Sequence, residues 1–218
     1  MSWAALTSGG KDSILAVQKA KDAGMKVSHF VTVVPKNTES YMFHAANLAA
    51  VPVMAKRCNA EYVEIKSAGE KEKEIKDMEK GLARLGVEGI IMGAIESEYQ
   101  RSRIAKVCDR LALKLFAPLW HMDPLTLMYE VSSRLDSFIV VCAADGLGEN
   151  VLGKKIDENL IDVLLSVQRS RRIHLAGEGG EYESLVLDAP CFSAPVQCSE
   201  MIFKYEGLRG EVMIERFW

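Results

Sequence analysis

The sequence predicts an α/β fold, a doubly wound parallel sheet followed by a smaller C-terminal α+β domain, with the two parts divided as residues 1–120 and 121–218. Three observations carry that prediction. Apolar, β-branched runs alternate with helical stretches through the first part, the order that builds a parallel sheet covered by helices on both faces. Two of those runs turn directly into glycine and then a helix, at Ser8–Ser13 and Gly93–Arg103, and so belong on the carboxyl edge of one sheet, where such folds bind ligands. From Asp123-Pro124 the character changes to a helix, an apolar strand and, near the C-terminus, strand-like segments around Gly207 to Gly210.

Composition narrows the class. With 49% apolar and 26% charged residues over 218 positions, the chain can bury a core and does not read as disordered. No apolar run reaches the roughly 18 residues of a membrane span, and no basic, apolar and cleavage-site sequence opens the chain, so a cytoplasmic protein without a membrane partner is expected. A net charge of −3 offers no general attraction to nucleic acid, and no direct nucleic-acid partner is expected. Five cysteines without C-x-x-C spacing indicate reduced thiols rather than a disulfide framework or zinc site, and the four histidines are scattered without metal-ligand spacing.

The elements follow in order. Trp3 to Leu6 is a strand; Ile14, Val17 and Ala20 mark one face of the next helix, which Gly24 stops. Val27 to Val34 is a strand ended by Pro35, with residues 36–40 as loop and an aromatic cluster, Tyr41-Met42-Phe43-His44, that covers a bound base or packs locally. Leu48 to Cys58 is helical with Pro52 in its first turn, Tyr62 to Ile65 is a strand, and Glu70 to Leu85 is a charged helix whose stripe is Ile75, Met78, Leu82 and Leu85. Gly89 to Met92 is a buried strand; Ser97 and Gln100 stand in capping-box positions for a helix striped by Ile104, Val107, Cys108 and Leu111; Leu113 to Phe116 is a strand. Beyond it lie a helix to Arg134, a strand from Phe138 to Cys142, a loop at Asp145–Asn150, and a helix capped by Asp157 that ends near Arg169, Arg171 and Arg172, cations suited to its C-terminal dipole. Gln197 to Phe203 and Glu211 to Phe217 close the chain as strands.

Three stretches carry chemistry. In Ser8-Gly9-Gly10-Lys11-Asp12-Ser13, the glycines allow close backbone approach, the first helical N–H groups and the dipole favour an anion, Lys11 adds a cation, and Ser8 and Ser13 add hydroxyls. Asp12 would repel a phosphate unless a cation sits between them, which points to Mg²⁺ and a nucleoside triphosphate. The G-x-x-x-x-G-K-[ST] loop is excluded, because Ala5 takes the place of its first glycine and Asp12 that of its hydroxyl residue. In the second stretch, Gln100, Arg101 and Arg103 crowd a helical first turn where cations are unfavourable unless an anionic ligand reverses the sign, so a nucleotide-facing role is expected. The third, Gly177 to Ser184, packs Glu178, Glu181 and Glu183 among three glycines, a set that can hold Mg²⁺, orient an amine nucleophile or take a proton from ammonium.

SGGKDS at Ser8 to Ser13 resembles the signature of the PP-loop (N-type) ATP pyrophosphatases. With YMFH at Tyr41 to His44, GAI-x-S-x-YQR-x-R at Gly93 to Arg103, PLW at Pro118 to Trp120 and GEGGEYESLVLDAP at Gly177 to Pro190, the chain resembles the diphthine–ammonia ligase family, a branch of that superfamily. Its one noted departure is Ala45-Ala46 where a proline is expected. The resemblance implies an adenine-nucleotide α-hydrolase-like (HUP) sheet, ATP and Mg²⁺. It also implies a reaction in which the carboxylate of diphthine, a modified histidine of translation elongation factor 2, attacks the α-phosphate and ammonia then displaces AMP. It implies that Ser8, Gly9, Gly10, Lys11, Asp12, Ser13, Gly93, Ala94, Gln100 and Tyr182 meet the nucleotide and that Asp12 holds the metal. The same resemblance implies that Lys11, Asp12, Arg101, Arg103, Glu178, Glu181 and Glu183 carry the catalysis. Ser2 excludes a processed N-terminal cysteine nucleophile, so free ammonium is the expected donor. The implied partners are diphthine-bearing elongation factor 2 and ammonium, with a homodimer left open.

Overall fold

A computed structural model describes residues 1–35, 47–67 and 71–218; the aromatic cluster at 41–44 and the Ala45-Ala46 departure lie outside the described residues. The first sheet holds β1 (Ser2–Leu6), β2 (Lys26–Pro35), β3 (Glu61–Ser67), β4 (Gly89–Ile91) and β5 (Lys114–Phe116), all parallel, in the order β3-β2-β1-β4-β5. The strand order therefore reverses between β1 and β4. The chain runs outward from β1 to β2 and β3 and returns to β4 on the other side of β1, which opens a crevice at the carboxyl ends of β1 and β4, and both glycine transitions lie there.

Helices cover both faces. Trp3 and Ala5 of β1 point into a core shared with Ile14 and Val17 of α1 (Lys11–Asp22) and Met54 of α2 (Val51–Arg57). Ala4, on the opposite face by strand alternation, packs with Met78 of α3 (Lys71–Leu82) and with Ile104 and Val107 of α4 (Glu98–Arg110). Pro52 sits in the first turn of α2, where its missing N–H has no partner to lose; a single 3₁₀ turn, Leu48–Ala50, precedes it. The charged α3 stops three residues before the expected Leu85, as Arg84 and Leu85 tighten to i−3 carbonyls ahead of Gly86 at φ +63°.

The second sheet is antiparallel, in the order β7 (Tyr182–Asp188), β6 (Asp136–Cys142), β9 (Arg209–Ile214), β8 (Met201–Glu206). Two helices accompany it: α5 (Pro124–Arg134), capped by Asp123, and α6 (Glu158–Arg171), capped by Asp157. The closing hairpin is tighter than expected: pairing runs to Glu206 opposite Arg209, leaving a two-residue turn with Gly207 at φ +59°. Cys198 and Phe217, expected within strands, form only an isolated bridge.

Leu127 and Met128 of α5, Ile139 of β6, Leu164 of α6 and Leu185 of β7 belong to the same buried cluster as Ile14 and Val17. The second sheet thus lies against the α1 side of the first. That packing brings β7 to the glycine turn, where the Val186 N–H donates to the Gly9 carbonyl over 3.0 Å.

Candidate functional site

The crevice between β1 and β4 is a cleft of about 250 Å³ lined by Thr7 to Ser8, Gly10, Asp12 to Ser13, Met92 to Ala94, Gln100 and Glu178. Its floor is the turn into α1. Gly9 holds φ +81°, a conformation that a Cβ disfavours, and Gly10 caps the helix with extended backbone and no side-chain acceptor. The first-turn N–H groups have no intrahelical carbonyls to bond, which makes this end of α1 a seat for an anion.

A chain of hydroxyls holds the turn. The Gly9 N–H donates to Thr7 Oγ1 over 3.0 Å, Thr7 Oγ1 lies 2.8 Å from Ser13 Oγ, and Ser13 Oγ donates to the Gly10 carbonyl over 2.9 Å. Because the Ser13 proton goes to Gly10, Thr7 must supply the proton between the two hydroxyls. Ser13 therefore shapes the loop from within, and Ser8 brings its hydroxyl to the cleft wall without such a bond among the described residues. Gly93 closes the other side: a Cβ there would fall 2.6 Å from the Asp12 carbonyl carbon and oxygen, so only glycine lets β4 pass this near the start of α1.

Lys11 and Asp12 divide the expected work differently from a simple phosphate clamp. The Lys11 side chain is buried and absent from the cleft lining; its ammonium donates to the Ala176 carbonyl over 2.6 Å and to Asp12 Oδ2 over 2.8 Å, 5.3 Å from the centre of the Tyr182 ring. Asp12 lines the cleft, and its other oxygen, Oδ1, is buried with no hydrogen-bond partner among the described residues. A buried carboxylate oxygen without a donor is costly, and a divalent cation is the kind of partner that offsets the cost. Among the described residues no three acidic, histidine or cysteine side chains converge on one point, so a cation at Asp12 would take its other ligands from phosphate oxygens and water.

The acidic motif enters from the second sheet. Glu178 Oε1 accepts the N–H groups of Glu96 at 3.2 Å and Ser97 at 3.0 Å, at the start of α4. The expected capping box is thereby altered: Ser97 Oγ accepts the Gln100 N–H at 3.4 Å, but the return bond to the Ser97 N–H comes from Glu178, not from the Gln100 side chain. Gln100 is left to line the cleft. Glu181 turns away and accepts the His174 N–H at 2.7 Å. The chain enters β7 at Tyr182, earlier than the glycine-rich motif suggests, so Glu183 pairs in the ladder opposite Val141 and Ser184 faces the glycine turn, where its Oγ accepts the Lys11 N–H at 3.1 Å.

Tyr182 is buried beneath the loop; its hydroxyl donates to the Leu175 carbonyl over 2.7 Å. Burial, with the carboxylates of Asp12 and Glu181 nearby, pushes its phenol well above the ordinary range, so it stays a neutral donor. The two arginines do not line the cleft: Arg101 stacks its guanidinium 4.7 Å from the Trp120 ring centre and Arg103 3.5 Å from that of Tyr99. Arg101 Nε is buried with no partner among the described residues. Gly93 and Ala94 line the cleft as expected.

The structure therefore joins Ser8, Gly10, Asp12, Ser13, Gly93, Ala94, Gln100 and Glu178 in one cleft, with Gly9, Lys11 and Tyr182 directly behind it and Glu181, Glu183, Arg101 and Arg103 outside it. Sequence reasoning passed over Thr7, Ser184 and His174. The His174 ring accepts two main-chain N–H groups of the acidic turn at Nδ1, from Ala176 at 3.2 Å and Glu178 at 3.3 Å. Its position three residues before Gly177 was the available signal. No cysteine lines the cleft, and burial raises the thiols of Cys108 to about 11 and Cys142 to about 12, so neither is an activated nucleophile.

Comparison with known proteins adds an independent line. Profiles described as the diphthamide synthase N-terminal domain and C-terminal domain match residues 1–115 and 123–218. A protein named diphthine–ammonia ligase from Bos taurus is 33% identical over 90% of this chain and 82% of its own length; one of the same name from Homo sapiens is 32% identical over 100% and 91%. The namesake from Schizosaccharomyces pombe, 32% identical over 86% of this chain, is longer, and the match takes in 34% of it.

Proposed function

The chain belongs to the diphthamide synthase family, and from that premise we propose that it ligates ammonia to the carboxylate of diphthine on translation elongation factor 2, in the cytosol, at the expense of ATP with Mg²⁺. The observation that carries this reading is that the glycine turn of α1 and the acidic turn before β7 meet at one cleft, with Asp12 and Glu178 on its wall. An adenylating ligase needs a triphosphate seat beside a place for a carboxylate and an amine, and this cleft has both kinds of wall.

The residues divide as follows. Ser8, Gly9, Gly10 and the free N–H groups of the first turn of α1 receive phosphate oxygens, with Ser13 and Thr7 keeping the turn in shape. Asp12 would hold Mg²⁺ through Oδ1, and the metal would supply positive charge to offset that of the triphosphate. Lys11 orients the Asp12 carboxylate and lends its positive charge to the floor of the site. Gly93, Ala94 and Gln100 form the wall against which the nucleotide rests, and the Tyr182 ring lies 5.3 Å from the Lys11 ammonium. Arg101 and Arg103 act from the mouth, where a swing of either guanidinium off its aromatic ring would bring it to an incoming carboxylate. Glu178, with Glu181 and Glu183 on the same segment, shapes the ammonium side. In the reaction a diphthine carboxylate oxygen bonds to the α-phosphorus as the bond to the bridging oxygen breaks and pyrophosphate leaves. Ammonia then attacks the acyl carbon, AMP departs, and the surplus proton goes to a carboxylate or to water. Residues 1–120 form the nucleotide side of this division and residues 121–218 the acceptor side.

The test is incubation of the purified protein with ATP, ammonium and diphthine-bearing elongation factor 2. AMP release matched by conversion of the carboxylic acid to the amide, seen as a mass change of the acceptor peptide, is the expected result. Release of ADP, or amidation only with glutamine, would contradict the reading. Sedimentation of the same sample distinguishes a monomer from a homodimer.

A further inference from the structure

One imidazole governs two contacts of this site. His174 Nδ1 accepts the N–H groups of Ala176 and Glu178, 3.2 and 3.3 Å away, and its own N–H is held by Glu181 Oε1 at 2.7 Å. The turn so pinned presents the Ala176 carbonyl to the Lys11 ammonium and the Glu178 carboxylate to the start of α4. A ring nitrogen that accepts two N–H groups carries no proton, so the proton resides on Nε2, which is buried without a hydrogen-bond partner among the described residues and faces Glu96 Oε2 at 3.7 Å. The charged groups around the ring are Glu96 from the loop before α4, Glu178 and Glu181 from its own turn, and Lys11 and Asp12 of α1 across the Ala176 carbonyl.

We propose that His174 is a positioning residue for the ligation, acting only as the neutral, Nδ1-accepting imidazole that orders the acidic turn against both Lys11 and α4. The proposal rests on the ligase reading given above. A second proton on the ring would sit on Nδ1 and face two N–H donors; the turn would have to open, releasing the Ala176 carbonyl from Lys11 and Glu178 from Ser97 together. Asparagine separates this role from simple packing. Its Oδ1 falls near the place of Nδ1 and accepts, yet it cannot be protonated there, whereas leucine fills space and accepts nothing.

The experiment measures kcat and KM of wild type, His174→Asn and His174→Leu from about pH 8 down to about pH 5.5, the span in which imidazoles change charge. Protonation of free ammonia affects all three equally and cancels in the ratio of wild type to variant. Near pH 8, His174→Asn should keep kcat within about threefold while His174→Leu loses about tenfold or more in kcat with little change in KM for ATP, as expected for a misplaced catalytic wall. The ratio of wild type to His174→Asn should fall as the pH drops. A long-range proton–nitrogen spectrum of wild type should show Nδ1 unprotonated and Nε2 protonated at neutral pH, whatever the activity. A protonated Nδ1, a pH-independent ratio, or equal loss in the two variants overturns the proposal. Wild type that makes no amide at any pH would instead overturn the ligase reading on which it stands.

Discussion

The main-chain N–H of Lys11 donates to Ser184 Oγ over 3.1 Å, so a first-turn donor of α1 that an anion would use is already held by a strand of the second sheet. Together with the bond from the Val186 N–H to the Gly9 carbonyl, it makes β7 the brace of the glycine turn. Removing one acceptor from a partly buried pair costs about 0.5–1.5 kcal/mol. Ser184→Ala should therefore lower unfolding stability by about that much and raise KM for ATP severalfold, with a smaller effect on kcat, because the Val186 bond remains. Urea unfolding and steady-state kinetics of the variant decide it; an unchanged KM would show that the brace does not shape the phosphate seat.

Gly93 and Asp12 set the width of the cleft. A Cβ at residue 93 would lie 2.6 Å from the main chain of Asp12 and 2.7 Å from the Ser13 nitrogen, so Gly93→Ala must push α1 and β4 apart. Overpacking of this kind costs about 1–3 kcal/mol, and the displaced first turn should weaken ATP binding by about tenfold or more. Gly148→Ala is the control: its nearest neighbour is 3.9 Å away and its φ is ordinary, so stability and nucleotide affinity should both hold. Calorimetric titration with ATP and thermal melts of the two variants give the comparison, and equal behaviour would mean that the approach of β4 to α1 has no part in the site.

The Asp12 carboxylate has one oxygen on Lys11 and the other buried with no partner among the described residues. Asp12→Asn keeps the shape and removes the charge that would draw a cation. AMP formation should drop by about a hundredfold or more at saturating ATP, and the melting temperature should fall, because the buried Lys11 ammonium loses its carboxylate partner. Wild type treated with a chelator should lose turnover to the same extent and regain it with added Mg²⁺, and the variant should not respond. A variant that retained metal-dependent turnover would place the cation elsewhere.

Alternation of β-branched runs with amphipathic helices made the first sheet legible, since period and order are local properties that packing here reinforces. The seat for an anion was legible for the same reason: Gly9 and Gly10 stand between a strand and a helix in one short stretch. What the acidic motif does was not. Glu178 caps α4 and Ser184 braces α1, and both contacts span more than eighty residues of chain, which no local pattern encodes. Arg101 looked like a nucleotide contact because its charge opposes the dipole of α4, yet the Trp120 ring supplies a local partner from another element. The stacking of Arg103 on Tyr99, by contrast, joins residues four apart on one helix and was readable in principle. His174 escaped notice because accepting two main-chain N–H groups depends on the path of the turn, and histidine spacing says nothing of that path.

A clasp between the first helix of one sheet and the first helix of the other provides a pH test of how the two parts hold together. Arg134 of α5 reaches Asp22 of α1 at 2.6 Å and Glu130 at 3.3 Å, while Lys19 of α1 meets Glu130 at 2.8 Å. The Arg134 hydrogen bond, helped by Gln18, holds the Asp22 carboxyl below its ordinary range. A carboxyl whose native pKa is lowered binds its proton more readily when unfolded; its contribution is complete above the unfolded value and disappears as the pH falls through the native one. Asp22 is close to half exposed, so solvent screens the pair and its worth is about 0.2–1 kcal/mol. Arg134→Met, which keeps the aliphatic stem, should lower unfolding stability by about that amount at neutral pH and by less near pH 2, as Asp22 takes up its proton. Added salt at neutral pH should narrow the gap as acid does. Urea midpoints of both proteins at the two pH values test the clasp, and a gap that persisted undiminished in acid would assign the effect of Arg134 to its packing rather than its charge.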